Sequence, residues 1–384
     1  MRIGILTGTR PDIIKMAPLF WEAKKRGHTP ILIHTGQHYS DHLFAGVYKS
    51  MELPIPHHKL EVGNCASPAE SVGKMVLAID KLLREKERPD ILLVHGDTLT
   101  SLSGALAAYL DIVPVGHVEA GLRTFSHEPF PEQLDTRGSD AASDIYFAAT
   151  DLNRQNLLNE GFSEKRIFVV GNTSVDTALW AAAKPAGETE RFFLSRGVDF
   201  SKPTIYFSIH RRETTLSRER FTAAAEAAFA LSDAGYCVVW SIRPGTAVAL
   251  EKYGLNEKLA LHPNLHTIEE IPSYADIIHL MKKCRFVCTD SGSMQEECCA
   301  LHIPCITVRY VTDRPESVSA GANILARPDS AQTILSAAEK VEASHARMSS
   351  APNPYGKGNS AALILDALEK WGGKLSRWEH EQKQ

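Results

Sequence analysis

Short runs rich in β-branched residues alternate along this chain with longer stretches in which apolar positions recur every three or four residues. Such alternation predicts parallel sheets covered by helices on both faces, an α/β fold. In the first half the predicted strands are Ile3–Thr7, Pro30–His34, Ile91–His95, Val113–Val118, Ile145–Ala148 and Ile167–Val170. In the second they are Thr204–Ser208, Cys237–Ile242, Leu265–Ile268, Arg285–Thr289 and Cys305–Val308. Two sets of strands imply two doubly wound domains. Periodicity weakens and small residues gather at Ala181–Gly187, which predicts an N-terminal domain over 1–182, a hinge, and a C-terminal domain over 188–359. From Ser360 a helical pattern returns (Ala361, Leu363, Leu365, Leu368, Trp371), expected to pack back on the first domain, with the polar end Glu379–Gln384 frayed.

Composition narrows the function classes. The 384 residues carry 42 Lys+Arg against 46 Asp+Glu, and a net charge of -4 excludes a polycation built for nucleic acid. No apolar run approaches the ~20 residues of a membrane helix. The N-terminal apolar run stops too soon for a signal peptide, so the expectation is a cytoplasmic protein with no membrane partner. Seven cysteines, mostly inside apolar segments, read as reduced core thiols, and their spacing does not suit zinc. His34, His38 and His42 have the spacing of one helical face, but Gly36 directly after a strand favours a loop, and no metal is expected.

In an open parallel sheet, ligands bind beyond the carboxyl ends of the strands, so the polar residues that follow each apolar run are the candidates. The first strand runs into Gly8-Thr9-Arg10-Pro11-Asp12, with Lys15 a turn later. Gly96-Asp97-Thr98 and Glu119-Ala120-Gly121-Leu122-Arg123 follow two others. The second half contributes His210-Arg211-Arg212-Glu213 and Asp290-Ser291-Gly292-Ser293. Ser291-Gly292-Ser293 opens a helix, where backbone N–H groups suit a diphosphate, and Glu297 is placed to accept from ribose hydroxyls. An ordinary helix capped by Asp290 or Ser291 explains the same residues. Asp97, Glu119 and Glu132, with His210 from the other half, are candidates for general acid and base, because carboxylates brought together raise one another's pKa. Each alone is equally a cap or a salt-bridge partner. Together with Arg10 and Lys15 they point to proton chemistry on a nucleotide-linked substrate.

Over nearly its whole length the chain resembles the non-hydrolysing UDP-N-acetylglucosamine 2-epimerase family. The resemblance is carried, in the family's order, by Gly8-Thr9-Arg10-Pro11, His95-Gly96-Asp97-Thr98, Gly116-His117-Val118-Glu119-Ala120-Gly121-Leu122-Arg123, Pro131-Glu132, Gly171-Asn172-Thr173, His210-Arg211-Arg212-Glu213, Thr289-Asp290-Ser291-Gly292 with Gln295-Glu296-Glu297, and Arg314-Pro315-Glu316. It implies two Rossmann-like domains in a GT-B arrangement about a closing interdomain cleft, a homodimer, and reversible inversion at sugar carbon 2 with no NAD or metal cofactor. In that family the carbon-2 proton is abstracted and UDP is expelled to give 2-acetamidoglucal, which stays bound while UDP returns and a proton arrives on the other face. Carried over by motif, Asp97, Glu119, Glu132 and His210 are the acid–base candidates. Arg10, Lys15, Ser291, Gly292, Ser293, Glu297 and Arg314 would hold the UDP-sugar.

The chain departs from the family's pattern at Thr136, which stands where an Arg is usual, with Arg137 one position along. Ser293 replaces the second Gly of the phosphate turn, and Ser241-Ile242-Arg243-Pro244-Gly245 stands where a His commonly follows an apolar strand. Part of the family uses that region, with the Gln37-His38 segment, to bind a second UDP-GlcNAc as activator. The alternatives are a hydrolysing relative, an epimerase for another nucleotide sugar such as a diacetamido uronic acid with Arg243 or Arg137 as the extra cation, a GT-B glycosyltransferase, and a non-enzymatic sugar-nucleotide binder. Four ionisable groups kept together argue against the last two.

Overall fold

The computed structural model describes residues 1–36, 41–62, 65–85 and 88–371, apart from the side chains of 41–44. The chain divides into two units, one formed by Met1–Thr177 with the segment that begins at Gly356, the other by Ala178–Tyr355. Each is built on one parallel sheet. The first sheet contains β1 (Arg2–Thr7), β2 (Thr29–His34), β3 (His58–Lys59), β4 (Ile91–His95), β5 (Val115–Ala120), β6 (Ile145–Ala148) and β7 (Ile167–Val169), in the order β3-β2-β1-β4-β5-β6-β7. The second contains β8 (Thr204–Ser208), β9 (Cys237–Ser241), β10 (Leu265–Ile268), β11 (Cys284–Thr289), β12 (Cys305–Val308) and β13 (Asn323–Ala326), in the order β10-β9-β8-β11-β12-β13. Both orders are Rossmann-like, as expected of the fold class, and each reverses between its first and fourth strands: β1 and β4, β8 and β11. Polar groups at those four strand ends therefore share one crevice within each unit.

The central strands are near-continuous apolar runs because helices cover both faces; every residue of β4, β8 and β9 is buried. Close helix approach depends on small residues. A Cβ on Gly104 would lie 2.1 Å from Leu6 Cδ2, so a glycine here lets the helix Leu99–Leu110 lie flat on the sheet. In the second unit Ala224, Ala225, Ala227 and Ala228 of the helix Arg218–Asp233 do the same, joining a core around Phe207 and Trp240, whose rings meet edge-on at 5.1 Å.

The helix Ser360–Trp371 packs on the helix Arg10–Lys25 of the first unit. Its N-terminus is held by Asp176, which accepts from the Ser360 and Ala361 N–H groups at 3.0 Å, and its far end by Arg26, which reaches Asp366 at 2.7 Å. Ala361, Ile364, Leu365 and Leu368 form the buried face, while Leu363 is exposed. Residues Glu379–Gln384, His38 and the side chain of His42 lie outside the described residues. The seven cysteines are all free thiols. Among the described residues no His, Cys, Asp or Glu group is arranged to hold a metal ion, and no helix is long and apolar enough to cross a membrane.

Candidate functional site

In the first unit, β1 ends at Gly8, where a Cβ would lie 1.9 Å from Thr100 Oγ1 and 2.6 Å from Thr35 Oγ1, so only glycine fits. The chain then enters the helix Arg10–Lys25 through a reciprocal cap. Thr9 Oγ1 accepts from the Asp12 N–H at 3.3 Å, and Asp12 Oδ2 accepts from the Gly8 and Thr9 N–H groups at 3.1 and 3.0 Å. Arg10, half-buried, opens the helix; Lys15, one turn on and 3% exposed, ion-pairs with Glu119.

Glu119 lies near the end of β5 and is 2% exposed. Its φ is +66°, at the point where β5 slips register against β6, a conformation that costs a non-glycine residue roughly 1–2 kcal/mol. The bend aims its carboxylate at the crevice. There it accepts from Asn172 Nδ2 at 2.7 Å, pairs with Lys15, and lies 3.4 Å from His95 Nε2. Burial pushes His95 down, but Glu119 and Asp12, whose Oδ1 is 3.3 Å from Nδ1, outweigh it and raise its pKa to about 9. Two cations thus face Glu119, and its buried charge is compensated.

Asp97 follows β4 and is half-buried. The peptide before it is clamped: Gly96 O accepts from His117 Nε2 at 2.8 Å and Ser101 Oγ at 3.3 Å. His117 Nδ1 in turn lies 2.6 Å from Asp140 Oδ1, and Arg123 ties Asp140 to Glu160. Glu132 opens the helix Glu132–Ala141, and one turn later come Asp135, 1% exposed, and the fully buried Thr136. Burial, then the charges of Asp97 and Glu132, raise the Asp135 pKa to about 8. Arg137 is exposed and faces Glu160 at 3.8 Å.

In the second unit His210 follows β8. Asp290, buried after β11, accepts from the backbone N–H groups of His210 (3.0 Å) and Arg211 (2.9 Å), joining the two strand ends. Burial, with Arg211 and Arg243, lowers the His210 pKa against the pull of Asp290, which favours a neutral imidazole at pH 7. Ser291 precedes the helix Gly292–Leu301 and makes no side-chain cap, which leaves first-turn N–H groups for a ligand. A Cβ on Gly292 would lie 2.9 Å from Arg314 Nη1, so glycine lets the guanidinium pack against the helix start.

Arg314 is held by Glu296 at 2.8 Å and by Asp313. Burial would raise Asp313, but Arg314, Arg309 and Arg211 hold it down at about 2. Ser293 is half-buried, and Glu297 accepts from the Tyr274 hydroxyl at 2.9 Å.

The crevice of the first unit therefore gathers Lys15, Asp97, Glu119 and Glu132, and that of the second gathers His210, Ser291, Gly292, Ser293, Glu297 and Arg314. Sequence reasoning missed His95, Asn172, Asp135 and Asp290 as participants. All of these but Asp135 sit inside the quoted motifs, and what the sequence does not show of Asp290 is that it ties the His210 and Arg211 backbone to the end of β11. Asp135 carried one signal, its position one helical turn after Glu132.

Residues 22–369 match the family described as UDP-N-acetylglucosamine 2-epimerase. The chain is 37% identical over 373 residues to the UDP-N-acetylglucosamine 2-epimerase of Methanocaldococcus jannaschii, covering 96% of this chain and 99% of that one. It is 32% identical to the enzyme of that name from Salmonella typhimurium, over 97% and 99% of the two chains. The crystal structure of the M. jannaschii enzyme in complex with UDP-GlcNAc and UDP matches with a TM-score of 0.85 at 36% identity, over 96% of this chain and 100% of that one. The Neisseria meningitidis UDP-GlcNAc 2-epimerase bound to UDP-GlcNAc gives 0.88 at 29% identity, with the same coverage.

Proposed function

We propose that this chain, which belongs to the UDP-N-acetylglucosamine 2-epimerase family, interconverts UDP-N-acetylglucosamine and UDP-N-acetylmannosamine by eliminating and re-adding UDP through a bound 2-acetamidoglucal. The observation that supports the reading is that each unit carries its own strand-end site: acid–base groups in the first, and an anion-ready helix start backed by Arg314 in the second. Expelling a diphosphate calls for N–H donors and positive charge around it, while a weakly acidic carbon calls for a base shielded from water.

In this mechanism Ser291, Gly292, Ser293, Arg314 and Arg10 hold the diphosphate, and Glu297 the ribose. Glu119, fixed by Lys15, His95 and Asn172, orients the sugar. Asp97 and Glu132 exchange the carbon-2 proton on opposite faces, and neutral His210 assists departure and return of UDP. Neither NAD nor a metal takes part. A homodimer is part of the same proposal.

Proton NMR of the purified protein with UDP-N-acetylglucosamine in D2O tests the reading. The expected result is deuterium at carbon 2 and a stable mixture of both UDP-sugars. Free N-acetylmannosamine with UDP would identify hydrolysis instead, and an unchanged spectrum would remove this substrate.

A further inference from the structure

One buried ionisable group in the first unit has no task in that mechanism. Asp135 is 1% exposed, and its Oδ1 has no hydrogen-bond partner among the described residues. The neighbouring Thr136 Oγ1 is likewise buried and unpartnered. An ionised carboxylate in such a place would need a cation or several donors, and burying it without them is costly.

Among the described residues no cation is paired with it. The helix Leu99–Leu110, which packs on Glu132–Ala141, carries no charged side chain, and its Tyr109 lies at the exposed end. On β5, His117 is engaged by Asp140, and Glu119 by Lys15 and His95. On Asp135's own helix, Arg137 turns outward to Glu160, and Asp140 is matched by His117 and Arg123. The groups whose charge acts on Asp135 are Asp97 and Glu132, both acids.

We infer that Asp135 is a positioning residue held as the neutral carboxylic acid, acting through Asp97 and Glu132 by keeping the charge of the three-carboxyl cluster down so that a nucleoside-diphosphate sugar is able to approach them. The inference rests on the acid–base roles proposed above for Asp97 and Glu132. Asp135 keeps its proton throughout turnover, so the proton removed from the sugar and the proton returned pass through the other two. Ionisation of Asp135 adds a negative charge to the cluster and disfavours the charged forms of its neighbours. Its midpoint near 8 then becomes the alkaline limb of the reaction.

Infrared titration of the ligand-free protein tests the protonation state without reference to activity. The wild type should show a protonated-carboxyl band at pH 7 that disappears around pH 8 and is missing from Asp135→Asn. In Asp97→Asn the same band should titrate at lower pH. If wild type shows no such band at pH 7, or if Asp135→Asn retains it, the inference is overturned whatever the enzyme turns over.

The functional half is read from kcat/KM against pH with the UDP-sugar established by NMR. Asp135→Asn, which does not ionise, should raise the ratio of activity at pH 9 to that at pH 7 by about tenfold. An unchanged ratio with the infrared band in place would assign Asp135 to structure alone. The two failures are therefore separate from a failure of the epimerase reading itself, which is the absence of carbon-2 exchange.

Discussion

The two crevices occupy the same topological position, where each sheet reverses between its first and fourth strands, yet they carry different groups. In the first unit the crevice centres on acids: Glu119 is balanced by Lys15 and His95, while burial and the charges of Asp97 and Glu132 favour the protonated form of Asp135. In the second, Arg309 and Arg314 are buried and held by Asp313 and Glu296. Sheet order decides where a ligand binds, and the groups left around it decide which part of the ligand is served. Carboxyl groups beside a strand end suit proton transfer on a sugar, and a helix start backed by an arginine suits a diphosphate.

The sharpest way to break this contrast is at Lys15. Lys15→Met strips Glu119 of a buried counter-ion and should cost about 3–5 kcal/mol in urea unfolding. Adding Glu119→Gln in the same chain should restore much of that loss, since neither charge then remains to be buried. A loss near zero for Lys15→Met would mean that the pair is no more than a surface contact.

A second test separates the crevices by pH. The folded pKa of His95 is raised to about 9, above its ordinary value, so its stabilisation is full below about pH 6.5 and is lost as pH rises through 9, a change on the order of 3 kcal/mol. Asp313 is depressed to about 2, so its contribution is present above about pH 4 and is lost as pH falls through 2. Hydrogen exchange, corrected for intrinsic rates, should show β1, β4 and β5 losing protection towards pH 9.5 while β8 and β11 keep theirs. Near pH 2 the strands of the second unit should open further than those of a chain carrying Asp313→Asn do relative to their own pH 5 level. Parallel loss in both sheets at pH 9.5 would contradict the assignment of His95.

The smallest expected effect sharpens the second crevice. Gly292→Ala places a Cβ against the Arg314 guanidinium and should weaken UDP about tenfold by calorimetry, roughly 1.4 kcal/mol. Alkaline protection of the first sheet should not move.

Most of the fold was legible because buried parallel strands are written as short apolar runs, and the runs at Ile91–His95, Ile145–Ala148 and Thr204–Ser208 coincide with β4, β6 and β8. β13 was missed because Asn323-Ile324-Leu325-Ala326 opens on a polar residue. In the folded unit Asn323 is buried and bonded to Thr307 and Gln295, a role visible only once those partners are adjacent. β5 runs from Val115 to Ala120 rather than from Val113 to Val118, since Ile112 at φ +57° turns the chain before it and the bulge at Glu119 prolongs pairing with β6. The site was legible at Asp97 and Glu119, where charge directly follows an apolar run. At Asp135 it was not. Whether a helical acid faces water or a carboxyl cluster depends on how the helix is rolled against its neighbours, and periodicity leaves that roll loose within the polar segment Glu132–Asp140.

The return of the Ser360–Trp371 helix to the first unit has a consequence for how the polypeptide is made. A ribosome delivers residues in order, and domains tend to fold as their sequence emerges. Here the earlier-born unit lacks one of its layers until the second unit has been made, because the helix that covers Arg10–Lys25 and is pinned by Asp176 is encoded after the whole of the second unit. The later-born unit, contiguous from Ala178 to Tyr355, is complete first. Nascent chains arrested before Gly356 should therefore hold a finished second sheet and a first unit whose Arg10–Lys25 face is still open to chaperones, so of the two units the earlier-born is the later to mature.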